Sequence, residues 1–483
     1  MKDLLIKNGF VVTEDAEGTS DILCSDGKIK LIAKDLALPG SGAVNSGAAN
    51  AGERNADTEV IDAAGKIVIP GGVDVHTHLC LDTGSAVVGD DFYTGTLAAA
   101  WGGTTTIVDH PGFGPAGCSL DHQINKYRDL AAGRAVIDYS FHGVIQHVDS
   151  RVLGMMDTLA DEGITSHKIY TTYGFKLSDA DIYRFLERAG ELGLLTAVHP
   201  ENDGVINYLR EKFRAEGKRA PRYHPLSRPA ECEAEAVSRM ILLAGMAGDA
   251  PLYIVHLTNA TALEFIRSAR RQGRKNLYAE TCPQYLLLND SLYDRPDGLK
   301  YIMCPPLRKD ADREALWQGL AADIDTVATD HCPFFYDTQK ILGRDDFTLC
   351  PSGAPGVEER IPLMYSEGVA KKRLGFDRGL RRFTELCCTT PAKLFGLYPQ
   401  KGVLKEGSDA DIVIIDPERR VTLRRELLHA NVDYTAYEGI ETLGYPVCTV
   451  SRGEVIIRDG VASAAPGRGR FIKRQRLVRG KAP

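Results

Sequence analysis

The chain has 483 residues, of which 43% are hydrophobic and 25% charged, and its formal net charge is −7. That length can bury a large core, and the composition excludes a disordered, collagen-like or coiled-coil chain. The acidic balance speaks against a nucleic-acid partner, and no apolar run approaches the roughly 18 residues of a membrane span. Eleven cysteines are scattered without a CxxC pair, a usage expected of reduced, mostly buried thiols in a cytoplasmic protein.

In chain order, MKDLLIKNGFVV reads as a strand and lacks the apolar core of a secretory signal. A second strand region runs from Asp21 to Ile32 around a turn at Gly27. Residues 40–59 are rich in Gly, Ala, Asn and Ser without a period, which predicts a mobile surface loop. Eight apolar runs then follow, each ending in a polar or ionisable residue: 68–78, 104–110, 135–144, 163–170, 194–200, 252–259, 277–283 and 326–333. Helical patterns separate them, as at 179–193 and 233–248. Eight alternating units predict an α/β fold, a (β/α)₈ TIM barrel with its chemistry at the C-terminal strand ends. Beyond residue 400 short strands return, with a hairpin at PVCTVSRGEVIIRDG. Both chain ends are therefore expected to build one small β-sandwich domain: residues 1–65 and 400–465, beside a barrel of 66–399. Residues 466–483 form a basic tail, GRGRFIKRQRLVRGKAP holding seven basic residues and no acid; a solvated tail, or an arm docked on another subunit, is expected.

Asp74, His76 and His78 alternate in DVHTH. On a strand, residues i and i+2 share a side, so His76 and His78 form a half-site for a borderline-soft divalent metal. His199, His256 and Asp330 end three further runs. Packing does not explain ionisable residues at so many strand ends, since a buried carboxylate is costly unless paired or metal-bound. Lys168 ends the fourth run, and is read either as an ion-pair lysine or as a carbamate carrier. Cys332 beside His331, the adjacent Cys387 and Cys388, His142 and His147, and Asp109 and His110 are expected to be structural.

The set HxH, Lys, His, His and Asp on eight runs resembles the amidohydrolase superfamily. GGVDVHTH, GGTTTIVDH, KIYTTY, VHPEN, ETCPQYLLL, PPLR, TDHCPF and PGVEER are similar to the hydantoinase and dihydropyrimidinase family. GFGPAGC, IDYSFHGVIQH and RYHPLSRPAECEAEA resemble the phenylhydantoin-opening bacterial members. The resemblance spans about residues 3–475. It implies two divalent ions per subunit, with zinc expected and manganese or cobalt able to substitute. His76, His78 and Asp330 would hold one ion, and His199 and His256 the other. Lys168, as N6-carboxylysine, would bridge them. The resemblance further implies that Tyr173 hydrogen-bonds the substrate carbonyl and that Asp330 is general base, then acid. Main-chain groups at Cys304 and Ser352 would hold the cyclic amide. Cys304 stands where relatives commonly have serine, and Ser352 where they commonly have asparagine. Leu81, Tyr170 and Phe175 would form a lid over an exocyclic substituent. The implied reaction is hydrolytic opening of 5-monosubstituted hydantoins, aryl ones included, to N-carbamoyl amino acids, by a homotetramer whose only other partner is this small cyclic amide. Dihydropyrimidinase activity on 5,6-dihydrouracil and a non-catalytic assembly role are the alternatives.

Overall fold

The computed structural model describes residues 2–37 and 58–477. The expected surface loop therefore lies outside the described residues, except at its end, where Glu59 opens the strand Glu59–Asp62.

The two chain ends share one nine-stranded sheet. Its order runs Val461–Ala462, Glu454–Arg458, Glu441–Ser451, Ile412–Thr422, Ile67–Pro70, Leu4–Val12, Glu17–Ser25, Lys28–Ala33, with Glu59–Asp62 also paired to Leu4–Val12. Leu4, Ile6, Ile22, Ile29, Val68 and Ile412 pack into a core of this unit's own. The alternation in these strands supplies that face.

The barrel strands are Gly72–Thr77, Thr104–Asp109, Asp138–Phe141 continued by Gly143–Val144, Ser166–Tyr170, Leu195–His199, Leu252–Ile254, Leu277–Thr281 and Thr326–Val327. Neighbours pair in parallel. A parallel bridge between Thr77 and His331 brings the chain beyond the eighth strand back to the first. Val108, Leu195, Ala197, Tyr253 and Tyr278 pack with Phe395 and Leu397 in one buried cluster. The helix expected at 179–193 forms over Asp179–Leu192. Ser178 caps it by accepting from Asp181 N, Ile182, Phe185, Leu186 and Ala189 form its buried stripe, and Gly193 ends it at φ 67°.

Two expectations change. The first apolar run, 68–78, is two strands rather than one. Ile67–Pro70 pairs with Ile412–Thr422 in the terminal sheet, and only Gly72–Thr77 belongs to the barrel. The break falls at Gly71, where a Cβ would stand 2.0 Å from Thr105 Oγ1, so only glycine lets the chain turn against the second strand. The terminal unit thus extends to residue 70 and not 65. The second change concerns the tail. Through residue 477 it is exposed along much of its length but anchored to the barrel of its own chain. Ile472 N donates to Tyr139 O and Leu477 N to Gly193 O. Arg474, 3% exposed, donates to Ser140 Oγ, Ser166 Oγ and Phe141 O. Its guanidinium thus ties the tail to polar groups of the third and fourth barrel strands.

Candidate active site

The first and eighth strands converge on one group. His76 Nε2 and His78 Nε2 each lie 3.2 Å from Asp330 Oδ1. One ligand atom from each of the three falls within 4.8 Å of the others, a donor set and spacing that suit a divalent cation. The fifth and sixth strands supply a second pair, His199 Nδ1 and His256 Nε2, 2.9 Å apart. Lys168 ends in the same space, with Nζ 3.3 Å from His76 Nε2. A bare ammonium is the one member of the set that does not suit a cation.

Two of the four histidines are oriented from behind. His76 Nδ1 lies 2.6 Å from Glu280 Oε1, and His199 Nε2 lies 2.7 Å from Glu201 Oε2. Donation to these carboxylates leaves the opposite nitrogens as lone pairs facing the centre. Burial, with Lys168 close by, holds His76, His199 and His256 below the usual imidazole range, so they are neutral donors. Burial also lowers Lys168 to about 8. For Asp330 burial acts upward, but His76, His78 and Lys168 outweigh it and draw the carboxyl down to about 2. Tyr173, His256 and Asp330 all have positive φ, at 72°, 40° and 52°. Such backbone is held only by its surroundings. Here Tyr173 N donates to Asp203 Oδ1 at 3.1 Å and His256 N to Glu280 Oε1 at 2.9 Å.

A cavity of about 680 Å³ opens over this centre. All six expected donors line it, as do Leu81, Tyr170, Tyr173, Phe175, Cys304 and Ser352. Phe113 stacks on Phe175 at 3.4 Å between centroids, and Tyr170 meets Phe175 edge-on at 5.1 Å. Opposite chemistry marks another part of the wall, where Cys304 Sγ donates to Ser352 Oγ at 3.3 Å.

The amidohydrolase family model matches residues 67–456. The chain is 49% identical over 478 residues to a D-phenylhydantoinase of Escherichia coli O1:K1 / APEC, a match covering 98% of this chain and 99% of that one. A solved D-hydantoinase superposes with a TM-score of 0.92 at 41% identity, over 99% of this chain and 100% of the other. A dihydropyrimidinase from Brevibacillus agri NCHU1002 gives the same score, identity and coverage. The chain belongs to the amidohydrolase family.

Four residues of this amidohydrolase site lie inside motifs that the sequence analysis quotes without assigning them a role: Glu280, Glu201, Arg228 and Phe113. Glu280 carried the same signal as the histidines, an ionisable residue at the end of an apolar run. Glu201 and Arg228 form a buried ion pair behind His199, 27 residues apart in the chain, and no spacing announces it. Most of the expected structural residues have partners, although both ring nitrogens of His110 are buried without one. His142 bonds Val75 O at 3.0 Å and Ser166 Oγ at 2.8 Å. Asp109 accepts from Thr77 Oγ1 and Leu79 N, bracing the strand that carries His76. His110 stacks on His142 at 3.8 Å. His331 is engaged by Asp90 and by the Gly356 amide, and burial pushes the Cys332 thiol far up, away from nucleophilic thiolate. His147 pairs with Asp149 at 3.6 Å. Cys387 and Cys388 are buried. No helix among the described residues is long and apolar enough to cross a membrane.

Proposed function

We propose that the chain hydrolyses the ring amide of 5-monosubstituted hydantoins, aryl ones included, releasing N-carbamoyl amino acids. The observation that carries this is one cavity in which a wall of Phe113, Tyr170 and Phe175 stands beside the imidazole and carboxylate donors. A polar ring set over the donors would place its 5-substituent against that wall. Near-full-length identity to D-phenylhydantoinases supports the same substrate class.

His76, His78 and Asp330 would hold one divalent ion, and His199 and His256 a second, zinc being the expected metal. Lys168 completes the set as a carbamate: its amine adds to CO₂ and loses a proton, and the ammonium becomes an anionic oxygen donor. This removes the misfit of a cation 3.3 Å from His76 Nε2. Bound metal would supply a water acidic enough to ionise near neutral pH and would polarise the amide carbonyl. The chain's own groups do the rest. Tyr173 donates its hydroxyl proton in a hydrogen bond to the carbonyl oxygen as that oxygen gains charge. Asp330 accepts the proton of the attacking water and returns it to the ring nitrogen as the C–N bond breaks. Main-chain groups at Cys304 and Ser352 hold the rest of the ring. Water is consumed once, its hydroxyl on carbon and its proton on nitrogen.

Dihydropyrimidinase activity is the second reading, favoured by the likeness to the Brevibacillus agri enzyme. A non-catalytic assembly role is disfavoured because all six donor positions are filled and face one cavity. A homotetramer in the cytoplasm completes the proposal. Metal analysis combined with turnover on 5-phenylhydantoin and dihydrouracil tests it. Two metal equivalents and faster opening of phenylhydantoin are expected. Protein that is active without bound transition metal, or that opens neither ring, would overturn it.

A further inference from the structure

The segments carrying Cys304 and Ser352 meet at the cavity wall, where Gly353 N donates to Ile302 O at 3.0 Å. Behind them lies Lys340, with no exposed surface. Its Nζ donates to Ile302 O at 2.9 Å, Pro351 O at 3.0 Å and Gly353 O at 2.8 Å. An ammonium has three protons, so its donor capacity is filled by two strips of main chain. Pro351 and Gly353 flank Ser352 on both sides, and Ile302 precedes Cys304 by two residues. Lys340 N in turn donates to Phe335 O at 2.9 Å, which anchors the ammonium to the loop that follows Asp330. None of these partners is a carboxylate. A buried charge without a counter-ion is costly, and an apolar side chain of similar volume would fill this space at lower cost. The carbonyl triad is what only the ammonium can hold.

We infer that Lys340 is a positioning residue that sets the distance between the Cys304 and Ser352 main chains, and so the fit of the cyclic amide between them. The inference rests on the proposed function, because it is the ring of that substrate which those main chains grip. Lys340 touches neither the metal donors nor the reacting atoms. Its loss should therefore act on substrate binding before chemistry.

The test compares Lys340→Met and Lys340→Gln with wild type in KM, kcat, metal content and thermal melting, using 5-phenylhydantoin. Methionine is one heavy atom shorter and loses every donor; glutamine keeps two N–H donors without charge. The expected result is KM raised about tenfold or more in the methionine variant and less in the glutamine variant. In both, kcat should stay within about threefold of wild type and metal content should be unchanged. A lowered melting temperature with wild-type KM would overturn the inference, leaving Lys340 a stability element. So would failure of both variants to fold, or KM, kcat and metal content moving together. Wild-type protein that opens neither hydantoin nor dihydrouracil would instead sink the proposed function, so the two failures are separable.

Discussion

Replacing Glu280 by glutamine changes the charge behind His76 and little else. Glu280 has no exposed surface. Its Oε1 takes the His76 Nδ1 proton at 2.6 Å and the His256 amide at 2.9 Å, and its Oε2 accepts from the Tyr253 hydroxyl at 2.8 Å. Glutamine can keep all three contacts. Its carbonyl oxygen replaces Oε1, and its amide donates to Tyr253, whose hydroxyl then turns its proton to Thr326 Oγ1, 2.5 Å away. The variant should therefore fold. What it loses is the charge-assisted part of the bond to His76, present above the value of about 7 to which burial raises the Glu280 carboxyl. A hydrogen bond to a charged group contributes about 1.5–3 kcal/mol and a neutral one about 0.5–1.5, so the loss is roughly 1–1.5 kcal/mol. The lone pair of His76 becomes a weaker donor by that amount, and metal affinity should fall about five- to thirteenfold. Competition with a chromophoric chelator measures this directly, without turnover. Glu280→Ala serves as the contrast, since it leaves His76 Nδ1 and the His256 amide unpaired and should cost more in melting temperature. A glutamine variant with wild-type metal affinity would refute the orienting role of Glu280.

Asp330→Asn should lower kcat by about 10²–10⁴ with a much smaller change in KM; a variant within a few-fold of wild type removes Asp330 from the proton path. Lys168→Ala should lose metal and activity together, with partial recovery in millimolar acetate or propionate, whereas intact-mass or density data showing an unmodified lysine in active, metal-loaded protein would sink the carbamate. Phe175→Ala should narrow the preference for 5-phenylhydantoin over dihydrouracil by about two- to thirteenfold in kcat/KM, from an aromatic pair of about 0.5–1.5 kcal/mol. An unchanged ratio would show that the aryl group sits elsewhere.

Legibility in the sequence followed the range of the interactions. His76 and His78 could be read together because i and i+2 on a strand share a side, a property of two adjacent peptide units. The other donors could be read because each closes an apolar run, and in a parallel barrel all run ends share one face. The helix Asp179–Leu192 was legible from its helical pattern for the same local reason. The split of the first run at Gly71 was not, since the apolar pattern continues across it and only the closeness of Thr105, which leaves no room for a side chain at 71, marks it.

The sequence by itself thus determined the eight-unit barrel, the terminal β-unit and the identity of the residues at the strand ends, all consequences of periodicity and residue type. The tertiary structure alone decided what stands behind them. Glu280 orients His76 from 204 residues away. Arg474 reaches Ser140 from 334 residues away, anchoring a basic tail on the barrel. Lys340 finds carbonyls of two loops that no pattern links to it. These partners are chosen by the closing of the barrel, when each buried polar group must meet whichever opposite group the fold brings within reach. That requirement leaves no periodic trace in the chain.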